Sequence, residues 1–166
     1  MKKILTLALC LLMALCLTAC GGNEDATQPD ANNDVVAENV DLAACLEQIK
    51  TDCALTDARN INTDMLFDTY GIAAEQYKQA ACCMVPTGVF PAEVLMFEAV
   101  DAAAATAIAD KLALRLQEVK NQSQSYDAEN YALAQQCAVR TDGLVVSLFI
   151  SADFATMNTI LDSFVK

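Results

Sequence analysis

The sequence lacks histidine and tryptophan altogether, and only 5 of its 166 residues are glycine. The absence of histidine removes the commonest general base and the commonest metal ligand. Basic residues are also scarce, with 10 lysines and arginines against 22 acidic residues and a formal net charge of −12. This charge argues against nucleic acid as a partner, because the phosphates would repel the protein. We expect no metal site and no bound cofactor.

The first twenty residues predict an export signal. Met1-Lys2-Lys3 is basic, and the apolar run 4–19 is shorter than the roughly 20 residues of a membrane-spanning helix. The run ends in Leu17-Thr18-Ala19-Cys20, which resembles the lipobox of bacterial lipoprotein signal peptides. The resemblance implies cleavage before Cys20 and a diacylglycerol on its sulfur, which anchors the chain in membrane lipid at the outer face of the bacterial cytoplasmic membrane. The alternative is an ordinary signal peptide in which Cys20 is incidental.

Composition divides the chain that follows the signal into two parts. Residues 20–39 are rich in acidic, amide, glycine and proline residues and contain no basic one. Such a segment buries too little to offset the entropy of ordering, so it predicts a disordered tether. Residues 40–166 are long enough for one hydrophobic core. We therefore expect a lipoprotein signal peptide over 1–19, a lipid-anchored acidic tether over 20–39 and a single domain over 40–166.

Hydrophobic periodicity in residues 40–166 predicts an α+β fold. Five segments are typical of helices, the second with Thr63 as its N-cap: 41–50, 63–70, 101–121, 127–135 and 153–164. Four apolar runs are typical of strands: 80–85, 92–100, 137–141 and 144–151. Asp142-Gly143 predicts a two-residue turn between the last two strands. We expect two hairpins that form an antiparallel sheet of about four strands, with helices packed against it.

Several short motifs in this domain resemble the family called domain of unknown function 4358. They are Tyr70-Gly71-Ile72, Ala92-Glu93-Val94, Arg115, Tyr126 with Tyr131, and Gly143. The family consists of bacterial lipoproteins, mostly of Gram-positive species, with the same order of signal, tether and body. Val89-Phe90-Pro91 departs from the polar spacing of the family in the loop before Ala92. The resemblance supports the fold and the envelope location, and it implies no activity.

Two charged residues occupy positions that the apolar patterns assign to the core. A helical wheel of 101–121 places Arg115 inside the apolar stripe, and strand alternation places Glu93 on the apolar face of its strand. A charge in such a position needs a partner. We predict a semi-buried Glu93–Arg115 ion pair that fixes the long helix on the sheet. The alternatives are an arginine that contacts a ligand and an arginine that takes part in catalysis.

Two tyrosines flank the start of the helix predicted at 127–135. Tyr126 and Tyr131 are candidates for stacking on a sugar or a peptide. Tyrosines in such places more often cover a helix–sheet junction with the hydroxyl in water, and we favour that interpretation.

The cysteines downstream of the tether show no C-x-x-C spacing, which argues against a zinc knuckle and a thioredoxin-like site. We interpret Cys45 and Cys137 as small core residues, with Cys137 on the strand face of Val139. A vicinal disulfide in Cys82-Cys83 is a weaker alternative to two thiols on opposite strand faces. Because their number is odd, at least one thiol should be free among these residues: Cys45, Cys53, Cys82, Cys83 and Cys137.

No enzymatic motif fits the sequence, and we predict no catalytic residue. There is no Gly-x-Ser-x-Gly elbow and no glycine-rich phosphate loop. A calcium-loop pattern that starts at Asn60 fails, because Met65 and Gly71 occupy the positions that need glycine and glutamate.

The function that these observations favour is an extracytoplasmic, membrane-anchored module that binds or scaffolds an envelope protein or a small ligand. The alternatives are a carboxylate-dependent envelope hydrolase and an accessory subunit of a membrane complex. A hydrolase needs a cleft with converging acids of shifted pKa, and a binding module needs a pocket without them. An accessory subunit needs an exposed apolar patch.

Overall fold

The computed structural model describes residues 40–86 and 92–165. Helices in this part of the chain are α1 (Leu42–Asp52), α2 (Thr63–Tyr70), α3 (Ala102–Tyr126), α4 (Ala128–Gln136) and α5 (Phe154–Phe164). Strands are β1 (Arg59–Asn60), β2 (Tyr77–Val85), β3 (Ala92–Ala99), β4 (Val139–Asp142) and β5 (Val145–Ile150). The α+β class predicted from the sequence is confirmed.

Several sequence predictions concern residues outside this part of the chain. They are the signal peptide at 1–19, the acylated Cys20, the tether at 20–39 and the segment Val89-Phe90-Pro91. None of the helices in 40–86 and 92–165 is both long and apolar enough to cross a membrane.

The strands form one antiparallel sheet in the order β1-β2-β3-β5-β4. The two predicted hairpins are β2–β3 and β4–β5, and they join through the pairing of β3 with β5. The expectation of about four strands was one short, because β1 adds a fifth at the edge. Both residues of β1 are polar or charged and exposed, so the strand leaves no apolar pattern in the sequence.

Helices cover both faces of this sheet. The core on one face contains Leu95, Phe97 and Leu148 beneath α2, α3 and α4. The core on the other face contains Val94 and Met96 beneath α1 and α5. Every residue of β5 is buried as a consequence.

Side-chain caps set the start of several helices. Asp41 accepts a hydrogen bond from the Ala44 amide over 2.9 Å at the start of α1, and Asp101 caps α3 in the same way. The prediction of Thr63 as the cap of α2 is wrong by one residue. Asn62 caps this helix, with its Oδ1 accepting from the Met65 amide over 2.9 Å, and asparagine is as good an N-cap as any residue.

The long helix α3 continues past the predicted end near residue 121. Ser123 is buried, and its hydroxyl donates to the Val119 carbonyl over 2.7 Å, so this polar stretch stays helical. Asp127 then ends α3 and caps α4 by accepting from the Asn130 amide.

The β4–β5 hairpin differs from its prediction in its turn residues and in the residue at which β4 begins. Asp142 pairs with Val145, so the two turn residues are Gly143 and Leu144 instead of Asp142 and Gly143. Gly143 alone has a positive φ, 58°, which fits a turn with glycine at its first central position. The strand also begins at Val139. Cys137 therefore lies at the C-cap of α4 and not on a strand, although it is buried as predicted.

Candidate functional site

The structure brings Glu93 and Arg115 together. Arg115 Nε donates to Glu93 Oε2 over 3.1 Å, and its Nη2 donates to Glu93 Oε1. Glu93 on β3 is 0% exposed, whereas the Arg115 side chain on α3 keeps 17% of its surface. Two parallel bonds of this kind compensate a buried carboxylate well, so the pair ties α3 to the sheet.

Tyr70 at the end of α2 also contacts this pair. Its hydroxyl donates to Glu93 Oε2 over 3.2 Å, and Arg115 Cζ lies 5.9 Å from its ring centroid. Burial, and then the charge of Glu93, raise the pKa of the Tyr70 hydroxyl. The hydrogen bond to Glu93 raises the pKa of Arg115. Tyr70 therefore stays neutral and Arg115 stays charged at any physiological pH.

A second cation of α3, Lys111, contacts the C-terminal end of α2. Lys111 lies one turn before Arg115, and its Nζ donates to the Gly71 carbonyl and, over 2.8 Å, to Gln76 Oε1. A positive charge is favourable there, because the carbonyl groups at a helix C-terminus carry partial negative charge. We refer to Tyr70, Glu93, Lys111 and Arg115 as the clamp.

The polar groups of the clamp are satisfied within the protein. Both oxygens of Glu93 accept hydrogen bonds, and the remaining bond of Arg115 goes to the surface residue Glu118 over 3.3 Å. Three of the motif residues that carry the family resemblance thus meet at one point. Their arrangement can position α2 and α3, and it leaves no carboxylate oxygen free for acid–base chemistry.

A cavity of about 330 Å³ opens at the end of the sheet where β2 ends and β3 begins. This volume is at the lower end of the roughly 300–1,000 Å³ of ligand pockets. None of the described residues that line it has a titratable side chain, and we call it the sheet-end cavity. Its lining residues are Ala54, Leu55, Thr56, Val85, Ala92, Asn130, Leu133, Ser151 and Ala152.

One wall of the sheet-end cavity has a strained backbone. Ala54 has a φ of 48° and Asp57 a φ of 64°, both in the connection between α1 and β1. This left-handed region costs a residue with a Cβ roughly 1–2 kcal/mol. The connection is held in place by the Leu55 amide, which donates to the Lys50 carbonyl over 3.0 Å. Together with the bond from the Ala54 amide to the Thr51 carbonyl over 3.3 Å, this is the Schellman motif that ends α1, so the left-handed φ of Ala54 belongs to the cap of this helix.

The two candidate tyrosines lie in different helices and differ in exposure. Tyr126 is the last residue of α3 and is 88% exposed, so it covers no junction. Tyr131 lies within α4 and is half-buried. The interpretation failed for Tyr126 because α3 is longer than predicted and carries this side chain out to its end.

The five cysteines of the described domain are free thiols. Cys82 and Cys83 lie on opposite faces of β2, as strand alternation predicts, and form no disulfide. Burial raises the pKa of Cys45 to about 11 and that of Cys82 to about 12. Both are therefore protonated at neutral pH and act as packing groups. Within residues 40–86 and 92–165, no group of three or more acidic residues and cysteines could hold a metal ion.

A comparison with protein-family models matches residues 52–151 to the Domain of unknown function (DUF4358). The match runs from the last residue of α1 to the residue after β5, so it contains the whole sheet and the whole clamp. Comparisons with curated proteins and with solved structures give no match.

Proposed function

We propose that this chain, which belongs to the Domain of unknown function (DUF4358) family, is a lipid-anchored binding module of the bacterial cell envelope. It is held at the outer face of the cytoplasmic membrane through an acylated Cys20. Its folded domain binds a ligand in the sheet-end cavity and is not an enzyme. Residues 20–39 tether this domain to the membrane.

The observation that supports the binding function is that the described residues that line the sheet-end cavity are uncharged. Hydrolysis by carboxylates needs two acids that converge on one substrate. Glu93 is the only fully buried acid in the described part of the chain, and Arg115 and Tyr70 occupy both of its oxygens. The cavity therefore supports binding better than acid–base catalysis.

The place where the tether enters the domain also suits this function. The Val40 carbonyl accepts from Gln79 Nε2, and the Leu42 amide donates to Gln79 Oε1 over 3.3 Å. Gln79 lies near the start of β2, whereas Val85 at the other end of the strand lines the cavity. Val40, the first described residue, thus joins the domain at the end of the sheet remote from the cavity.

Replacement of the lipidated cysteine tests the anchor. Cys20→Ser removes the sulfur that would carry the diacylglycerol, so we expect the protein to leave the membrane fraction of fractionated cells. Cys16→Ser is the matched control, since it changes a cysteine of the signal peptide and leaves the lipobox intact. Equal membrane retention of the two variants would contradict the proposed anchor.

Site-specific crosslinking on intact cells tests the cavity as the binding site. A photoreactive amino acid replaces Thr56 at the cavity or Thr106 on the exposed face of α3. We expect crosslinked products from position 56 and none from position 106. Products from position 106 alone would favour the accessory-subunit alternative instead.

A further inference from the structure

We propose that the sheet-end cavity takes a small uncharged ligand with an amide group next to an aliphatic one. This inference rests on the proposed binding function and names its ligand class. The same chemistry occurs in N-acetylated sugars and in short peptides, and the experiment below distinguishes these two sources.

The electrostatics of the lining favour an uncharged ligand. An ion that enters the cavity loses hydration and finds no opposite charge among the described lining residues. The nearest acid in the hydrogen-bond network is Asp127, whose two oxygens already accept from the Asn130 amide and, over 2.6 Å, from Asn130 Nδ2. A cation would therefore have to compete with these two bonds.

Two polar residues of the described lining, Asn130 and Ser151, have hydrogen-bonding groups that complement an amide. Asn130 Oδ1 accepts no hydrogen bond from residues 40–86 and 92–165, while its Nδ2 is fixed by Asp127. Ser151 Oγ accepts from the Asp153 amide over 3.1 Å, and within the same ranges its hydroxyl proton is not donated. An amide supplies the complementary N–H for Asn130 and the complementary carbonyl for Ser151.

The aliphatic residues of the described lining match the apolar part of the ligand. These residues are Leu55, Val85 and Leu133. An aliphatic group such as the methyl of an acetamide can pack against these side chains. The two backbone hydrogen bonds of the Schellman motif fix the wall at Ala54 before the ligand arrives, and this preorganisation reduces the entropy lost on binding.

NMR titration of the full-length protein in mild detergent tests the ligand class. The uncharged probes are N-acetylglucosamine and N-acetylalanine methylamide, and their charged counterparts are glucosamine and N-acetylalanine carboxylate. We expect at least one uncharged probe to bind with a Kd on the order of 1 mM, as is usual for so small a ligand. We expect its charged counterpart to bind at least about tenfold more weakly, since it must be desolvated without a partner.

Two variants in which leucine replaces an alanine test where the probe binds. Ala152→Leu fills the cavity and should weaken binding of the uncharged probe at least about tenfold. Ala155→Leu adds the same side chain at an exposed position of α5 outside the cavity, and it should leave the Kd unchanged.

Each other outcome overturns the inference. If a charged probe binds better than its uncharged counterpart and Ala152→Leu abolishes this binding, the ligand class is wrong while the binding function stands. If Ala152→Leu and Ala155→Leu bind all probes equally, or if no probe binds, the cavity is not a site for this ligand class. The crosslinks from Thr56 then decide separately whether the binding function stands.

Discussion

Two consecutive residues at the start of β3 belong to regions of opposite character. Glu93 is part of the clamp, and Ala92 lines the sheet-end cavity. The clamp concentrates buried charge and uses every oxygen of its carboxylate internally. The cavity has no charge in its described lining, leaves hydrogen-bonding groups of Asn130 and Ser151 unused within the described residues, and keeps a strained backbone at Ala54.

This difference separates stability from binding in one small domain. Polar groups that satisfy one another are costly to break and have nothing left to offer a ligand. Polar groups that lack partners among the described residues contribute little to the fold and remain available to a ligand. Changes in the clamp should therefore affect the free energy of unfolding, and changes in the cavity should affect binding.

Removal of the clamp's arginine should have the largest effect. Arg115→Leu leaves Glu93 fully buried without its charge partner, and breaking a buried pair in this way costs roughly 3–5 kcal/mol. The free energy of unfolding by urea measures this loss. Glu118→Gln is the control, because it removes only the partner of Arg115 that is 61% exposed, and it should change stability by less than about 1 kcal/mol.

The Arg115→Leu variant can also contradict the assignment of stability to the clamp and of binding to the sheet-end cavity. If Arg115→Leu kept the stability of the parent protein and lost ligand binding, the arginine would be a ligand contact. The clamp would then belong to the binding site.

Loss of a single hydroxyl in the clamp should have an intermediate effect. Tyr70→Phe removes the hydrogen bond to Glu93 Oε2 and keeps the ring beside Arg115, so it should cost about 1.5–3 kcal/mol, as for hydrogen bonds to charged groups. The control is Tyr77→Phe. The Tyr77 hydroxyl is buried without a hydrogen-bond partner among the described residues, so its removal should cost nothing or stabilise the protein. Equal losses of unfolding free energy in the two variants would contradict a special role of the Tyr70 hydroxyl.

The Glu93–Arg115 pair of the clamp could be predicted from the sequence, because each residue places a charge at a position of an apolar pattern. An arginine inside an apolar helical stripe and a glutamate on an apolar strand face each need a partner, and few partners are available. The contribution of Tyr70 was missed as a contact, although the residue is part of a family motif. A tyrosine at the end of a short helix carries no sign of what its hydroxyl reaches, and only the packing of α2 against α3 decides it.

The sheet-end cavity, in contrast, could not be predicted from the sequence. Its lining comes from five separate segments and consists mainly of alanine, leucine and valine, which occur throughout any core. The positive φ of Ala54 runs against the preference of alanine, so no local rule could predict it. The same limit applies to the fold. Periodicity found the long strands and all five helices, whereas β1 and the residues of the last turn depend on tertiary pairing.

Relief of the strain at the cavity wall should have the smallest effect. Ala54→Gly removes the Cβ that makes a φ of 48° unfavourable, which gains roughly 1–2 kcal/mol, but glycine also makes the unfolded chain more flexible at a cost of about 0.5–1 kcal/mol. We expect a net rise in the free energy of unfolding of about 0.5 kcal/mol. Ala152→Gly is the matched control, because Ala152 lines the same cavity without a positive φ and should only lose stability. If both variants lost the same amount of unfolding free energy, the φ of Ala54 would carry no strain.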